Sequence, residues 1–279
     1  RIEPYFSGRL GGPEQISQLV RDGTVDIGFV IPSYDRAAFP DASVMELPGL
    51  FKDATEATQV LSQLVGARVL RDFSDFYLIG AYAGDPEDIH ARPPVVSLAD
   101  LRGKRFRVNN EIEAEILEKL GAHSLALPIN QTTQAISSGQ IDGALAPPVP
   151  LIEFGIGRVA PYHYFLHTSF IPQALLMNRE RFDRLPSDVQ AIIRKHSGAW
   201  LLDNFIRINA DANAQIVRQL ESDPKRTVTF PSPADQQTAD AVFKSIVDGY
   251  AAKSSHNAEL VGAARAAVAK LRADSEVRQ

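Results

Sequence analysis

Across residues 187–222 apolar side chains recur every three or four positions: Val189, Ile193, Leu201, Phe205, Ile208, Ala212, Ile216 and Leu220. That period predicts one amphipathic helix. Pro186 and Ser187 stand at its start, Asp223-Pro224 at its end, and Gly198 is expected to mark a bend. Such a helix would run about 52 Å, longer than a small domain is wide, so it is expected to lie across two lobes. Shorter segments alternate upstream of it. "PEQISQLVRD" (13–22) predicts a helix closed by Gly23, "VDIGFVI" (25–31) a buried strand, 53–70 a helix and "FYLIGAYAG" (76–84) an apolar strand. "KRFRV" (104–108) is a strand of period two, and Asn110 is placed to cap the helix that follows. Strand–helix–strand alternation at this spacing predicts an α/β fold with mostly parallel strands. The tail is expected to hold a strand at 226–230 and helices from 233 and 257.

One stretch is echoed. Gln18, Gly23, Asp26 and Pro32 match Gln134, Gly139, Asp142 and Pro148 at identical spacing. Each copy reads as helix, glycine, short strand, then proline. Two similar α/β lobes with facing strand ends would enclose a crevice for a small molecule.

Composition narrows the chemistry. The 279 residues carry 29 Lys and Arg against 34 Asp and Glu, a net charge of −5. A mildly acidic chain is a poor nucleic-acid binder, since neutralising phosphates needs clustered Lys and Arg, and an anionic ligand would need a local cationic site. With no cysteine, thiolate catalysis, disulfides and Cys-held metals are excluded. No P-loop, nucleophile elbow or full dinucleotide fingerprint is present, so an enzyme is not expected, and no cofactor or metal is called. His163 and His167 are four apart, but "YHYFLHTSF" alternates and reads as extended, which separates them by about 13 Å. Glu111/Glu113 and Glu115/Glu118 read as a solvated helix face. The opening "RIEPYFSG" reads as a strand-like stretch with residues expected upstream, a signal peptide having been removed.

Five segments, "SGRLGGPEQISQLVRDGTVDIGFV", "ELPGLFKD", "LADLRGKRFRV", "LGAHSLALPINQTTQAISSGQIDGAL" and "LLMNRERFDRLPSDVQAII", resemble in order the binding component of tripartite ATP-independent periplasmic (TRAP) transporters. The resemblance covers nearly the whole chain. It implies a two-lobed periplasmic-binding-protein fold, with hinge strands and a long helix spanning both lobes. Lobe I is then 1–84 plus 174–212, lobe II 85–173 plus 213–279, with the ligand cleft between them. The implied role is a periplasmic monomer that captures a small organic acid and delivers it to membrane permease subunits; if several rings face the cleft, that acid is expected to be an aromatic or apolar monocarboxylate. A ligand sensor for a membrane signalling receptor is the alternative.

The resemblance also implies the site. Arg107, in the family's "K-x-R-V" strand, would pair with the ligand carboxylate through its planar fork of donors. Tyr34, Tyr82 and Phe170 lie near predicted strand ends as wall candidates. Asn109, Asn110, Pro147 and Gln173 occupy matching loop or hinge positions. Two departures stand out. Ala146 replaces an asparagine that many members use for the carboxylate, and Glu87 falls where sialic-acid-type members carry a second arginine. Glu87 reads first as a solvated loop acid; within the cleft it would meet a hydroxyl or ammonium group.

Overall fold

The computed structural model describes residues 2–6 and 8–276. Arg1, Ser7 and 277–279 lie outside them, and residues 2–6 form no strand, unlike the strand-like opening expected. In chain order the elements are α1 (Ile16–Arg21), β1 (Ile27–Val30), α2 (Ala54–Gly66), β2 (Phe76–Pro86), β3 (Asp88–Ala91), β4 (Arg105–Val108), α3 (Glu111–Lys119) and β5 (His123–Ala126). They continue with α4 (Ile129–Ser137), β6 (Gly143–Ala146), α5 (Pro148–Glu153), β7 (Tyr162–Tyr164), β8 (Phe170–Asn178), α6 (Arg179–Asp183), α7 (Ser187–Lys195), α8 (Ala199–Ser222), β9 (Thr227–Thr229), α9 (Pro233–Ala252) and α10 (Ser255–Glu276).

These build two sheets. One has three strands in the order β1-β8-β2; the other has six, β5-β4-β6-β3-β7-β9. Parallel pairing is confined to the second sheet, at β4–β5, β4–β6 and β7–β9. The first sheet is antiparallel throughout, so the expectation of mostly parallel strands fails there. The reason lies in β2 and β8, two long strands that run against each other and leave their sheet in the direction of the other one. Only Glu87 separates β2 from β3, so the chain changes sheet within a single residue. It returns through residues 165–169. The two crossings are tied together: Glu87 N–H donates to Ser169 O (2.8 Å), and Thr168 N–H donates to Glu87 O (2.9 Å). The Thr168 hydroxyl donates to the same carbonyl at 2.8 Å.

The internal echo is structural. Gly23 and Gly139 both take left-handed backbone, φ +71° and +76°, after their helices. Pro32 and Pro148 each open a helical turn past their strands, where proline's missing N–H costs nothing.

The single long helix expected over 187–222 is two helices. Gly198, at φ 60° and ψ −127°, breaks the run, and its N–H donates to Ile79 O of β2 at 2.8 Å instead of continuing a helical ladder. From there α8 passes along β2 of the first sheet and reaches α5 and β9 beside the second. Its Asn213 side chain bonds Asp85 near the crossing. The tail also joins both sides. At the start of α9, Asp235 accepts from Tyr164 Oη of β7 (2.9 Å). Near the end of α10, Arg272 makes a two-bond pair with Glu56 of α2 (2.8 and 3.0 Å).

A Cβ at Gly198 would meet no neighbour, so the cost of Gly198→Ala is backbone strain alone. We expect a loss of about 1 kcal/mol or more, read as a lower urea midpoint; an unchanged midpoint would show that the break does not depend on glycine.

Candidate functional site

Strand β4 is an inner strand of its sheet, between the edge strand β5 and β6. Alternation makes Arg105 exposed and Phe106 buried, but Arg107 is buried too, with no accessible surface. Its register partners are Leu125 and Ala144. The guanidinium is held by main chain: Nε donates to Leu127 O at 2.8 Å and Nη1 to Leu145 O at 3.2 Å. Nη2 donates to Tyr34 Oη at 3.2 Å. All three partners are neutral. A guanidinium has five N–H groups, so one remains free on each terminal nitrogen. A buried cation without an anion in contact is costly unless a counter-charge arrives.

Tyr34 reaches Arg107 from the 3-10 turn Pro32–Tyr34, which follows β1 of the other sheet. The turn is fixed by Ser33 Oγ, which donates to buried Glu46 at 2.6 Å, while Arg36 pairs with the same carboxylate at 2.7 Å. The Tyr34 hydroxyl in turn donates a hydrogen bond to Asn109 Oδ1 at 3.3 Å. Burial raises the Tyr34 pKa, and the neighbouring Arg107 opposes the rise.

Past β4 the chain turns into α3. Asn110 caps it, its Oδ1 accepting from Glu113 N at 2.9 Å. The fully buried Glu113 carboxylate turns back to accept from Asn109 N at 2.6 Å and Asn109 Nδ2 at 3.2 Å. Ser169 Oγ adds a bond at 3.1 Å. Burial raises the Glu113 pKa, while the Asn109 bonds and Arg107 favour its charged form.

Glu87 completes the cluster. It is 4% exposed, so the solvated-loop reading does not hold: its main chain is locked between the two crossings, which carries the side chain inward. Its pKa is pushed well above the usual carboxylate range, first by burial and next by Glu113, with Arg107 opposing. Its Oε2 has no hydrogen-bond partner on the protein, and neither does Asn110 Nδ2.

Of the residues singled out from sequence, Tyr34, Glu87, Arg107 and Asn109 gather here, and Asn110 adjoins them as the cap. The others lie in different surroundings. Tyr82 stacks between Phe205 of α8 (centroids 3.6 Å apart) and Phe29 (6.5 Å). Phe170 is buried edge-on to Phe51. Gln173 faces Tyr82 in register across β2–β8. Pro147 caps α5. Glu113 was missed: the solvated-face reading holds for Glu111 and Glu118, which are exposed, but fails at Glu113, which packs inward on the first turn of α3. One signal was available, since Asn110-x-x-Glu113 is the spacing of a helix-start box. His163 holds no metal-like geometry with His167. Its Nδ1 meets His90 Nδ1 at 2.9 Å and its Nε2 accepts from Arg226 at 3.2 Å, and burial keeps both rings neutral by lowering their pKa values, His90 to about 4.

A family model described as bacterial extracellular solute-binding protein, family 7, matches residues 1–254. The chain belongs to that family. A solute-binding protein of Sulfitobacter sp. (strain NAS-14.1) is 28% identical over 193 residues, 67% of this chain and 58% of the relative. The chain thus spans about three fifths of the length of the first curated relatives it matches. Among solved structures, a TRAP solute binding protein from Rhodoferax ferrireducens T118 with copurified benzoate superposes with a TM-score of 0.88 at 24% identity, covering 97% of this chain and 86% of that one. A marine metagenome TRAP solute binding protein specific for aromatic acid ligands, in complex with metahydroxyphenylacetate, gives 0.87 at 24% identity, covering 93% and 84%. The family-7 protein described here therefore has the two-lobed α/β fold of those binding proteins.

A raised Glu87 pKa means that the folded family-7 protein holds a proton there which the unfolded chain releases above about pH 4.5. The stabilising state is fully present below that pH and is lost as pH rises toward the folded value. Glu87→Gln is therefore expected to raise the melting temperature, and more at pH 8 than at pH 5. A variant no more stable than wild type at pH 8 would contradict the burial account.

Proposed function

We propose that this chain is the solute-binding component of a TRAP-type transporter: it captures a small organic acid outside the cytoplasm and hands it, unaltered, to membrane permease subunits. The observation that carries this is Arg107, buried with only neutral partners and with two N–H groups unspent. Two parallel N–H donors match one carboxylate. The Asn110 cap adds the positive end of α3 nearby, and the unpartnered Asn110 amide adds a donor. Tyr34 and Arg107 come from different sheets, so a ligand bound at the guanidinium would touch both lobes and favour the closed arrangement over the open one.

The lobes are taken as the three-stranded and six-stranded sheets with the helices packed on each. They divide near residues 84–87 and 165–174; the tail 213–279, assigned to lobe II from the resemblance, also packs on lobe I where α10 meets α2. The structural neighbours, bound to benzoate and metahydroxyphenylacetate, support an aromatic monocarboxylate as the first ligand class to try. The match to an extracellular binding family supports a periplasmic location.

Calorimetry with benzoate tests the site. Arg107→Ala is expected to weaken binding at least about tenfold, or 1.4 kcal/mol. Arg107→Lys should recover only part of that, since a point charge lacks the fork. Unchanged affinity in Arg107→Ala, with the variant still folded by circular dichroism, removes the guanidinium from the site.

A further inference from the structure

Glu87 brings an acceptor into a place built to hold an anion. Burial of a carboxyl without full hydrogen bonding is costly, yet Glu87 is 4% exposed and Oε2 finds no partner on the protein. The neighbouring acid Glu113 is treated differently, with bonds from the Asn109 main chain, the Asn109 amide and the Ser169 hydroxyl. Glu113 is thus a satisfied structural carboxylate. Of these two acids only Glu87 keeps a free oxygen, on the residue that joins the two sheets and close enough to feel both Arg107 and Tyr34.

We propose that Glu87 selects the ligand: its free oxygen bonds a hydroxyl carried by the organic acid whose carboxylate sits on Arg107, so the preferred solute is a hydroxy acid. This rests on the carboxylate reading of Arg107 given above and adds the second anchor point. A hydroxyl suits the site better than an ammonium for two reasons. An ammonium carries three donors and needs an acceptor for each, whereas Glu87 offers one free oxygen. An ammonium can also only donate, whereas a hydroxyl donates to an ionised Glu87 and accepts from a protonated one. Arg107 nearby further disfavours a second cation. An acid with no polar substituent would leave Oε2 buried against hydrocarbon.

The test is calorimetry on matched probes: mandelate, phenylacetate and phenylglycine; lactate, propionate and alanine; 3-hydroxybenzoate and benzoate. In wild type at least one hydroxy acid is expected to bind about tenfold more tightly than its deoxy counterpart, and more tightly than the amino acid of its set. In Glu87→Leu that ratio should fall to about one. In Glu87→Gln, whose amide both accepts and donates, it should survive in large part. The proposal is overturned if the deoxy acids bind as tightly as the hydroxy acids, if an amino acid binds best, or if Glu87→Leu keeps the wild-type ratio. Deoxy acids that bind equally well and lose affinity in Arg107→Ala would sink the hydroxyl anchor while leaving carboxylate capture standing. Failure of every probe to bind would remove both.

Discussion

A guanidinium buried with neutral partners organises this molecule. Arg107 is fixed by two main-chain carbonyls on an inner strand of a sheet, which sets its plane without spending its charge. Main-chain partners make the placement rigid, because the carbonyls cannot move without disrupting β6 and the connection before α4. Among the described residues no carboxylate touches the guanidinium, whose bonds go to Leu127 O, Leu145 O and Tyr34 Oη. The acids that surround it at longer range temper the field. Glu113 stays well bonded to neutral donors, and Glu87 is driven toward its neutral form. Arg107 is thus a buried cation in a chain that is acidic as a whole.

The same few residues join the sheets. Glu87 is at once the one-residue step from β2 to β3 and a member of the polar cluster. Its backbone is clamped by Thr168 and Ser169 of the return crossing, and the Ser169 hydroxyl goes to Glu113. The connection and the site therefore share atoms. A change in the angle between the sheets would therefore be felt first at Glu87, where the chain passes from one to the other.

Much of this could be read from the residues. The glycine–strand–proline echo at 18–32 and 134–148 is repeated backbone geometry, and Arg107 follows from the resemblance and from the fit of its fork to a carboxylate. What escaped reading depends on long-range pairing. The burial of Glu87 requires that β2 and β3 join different sheets and that residues 165–169 return alongside, which no local pattern reveals. Glu113 lies among "EIEAE", whose composition says surface; only its spacing from Asn110 says otherwise. Gly198 was expected to bend one helix and instead separates two, because its N–H is claimed by Ile79, more than a hundred positions away in the chain.

The tail adds a constraint of another kind. One end of the α9–α10 pair is fastened to β7 through Asp235, the other to α2 through Arg272 and Glu56, and the two helices pack on each other. Together they form a strap running outside the crossing strands from one sheet to the other. Parting the sheets would therefore pull on the Arg272–Glu56 clasp as well as on the strands between them.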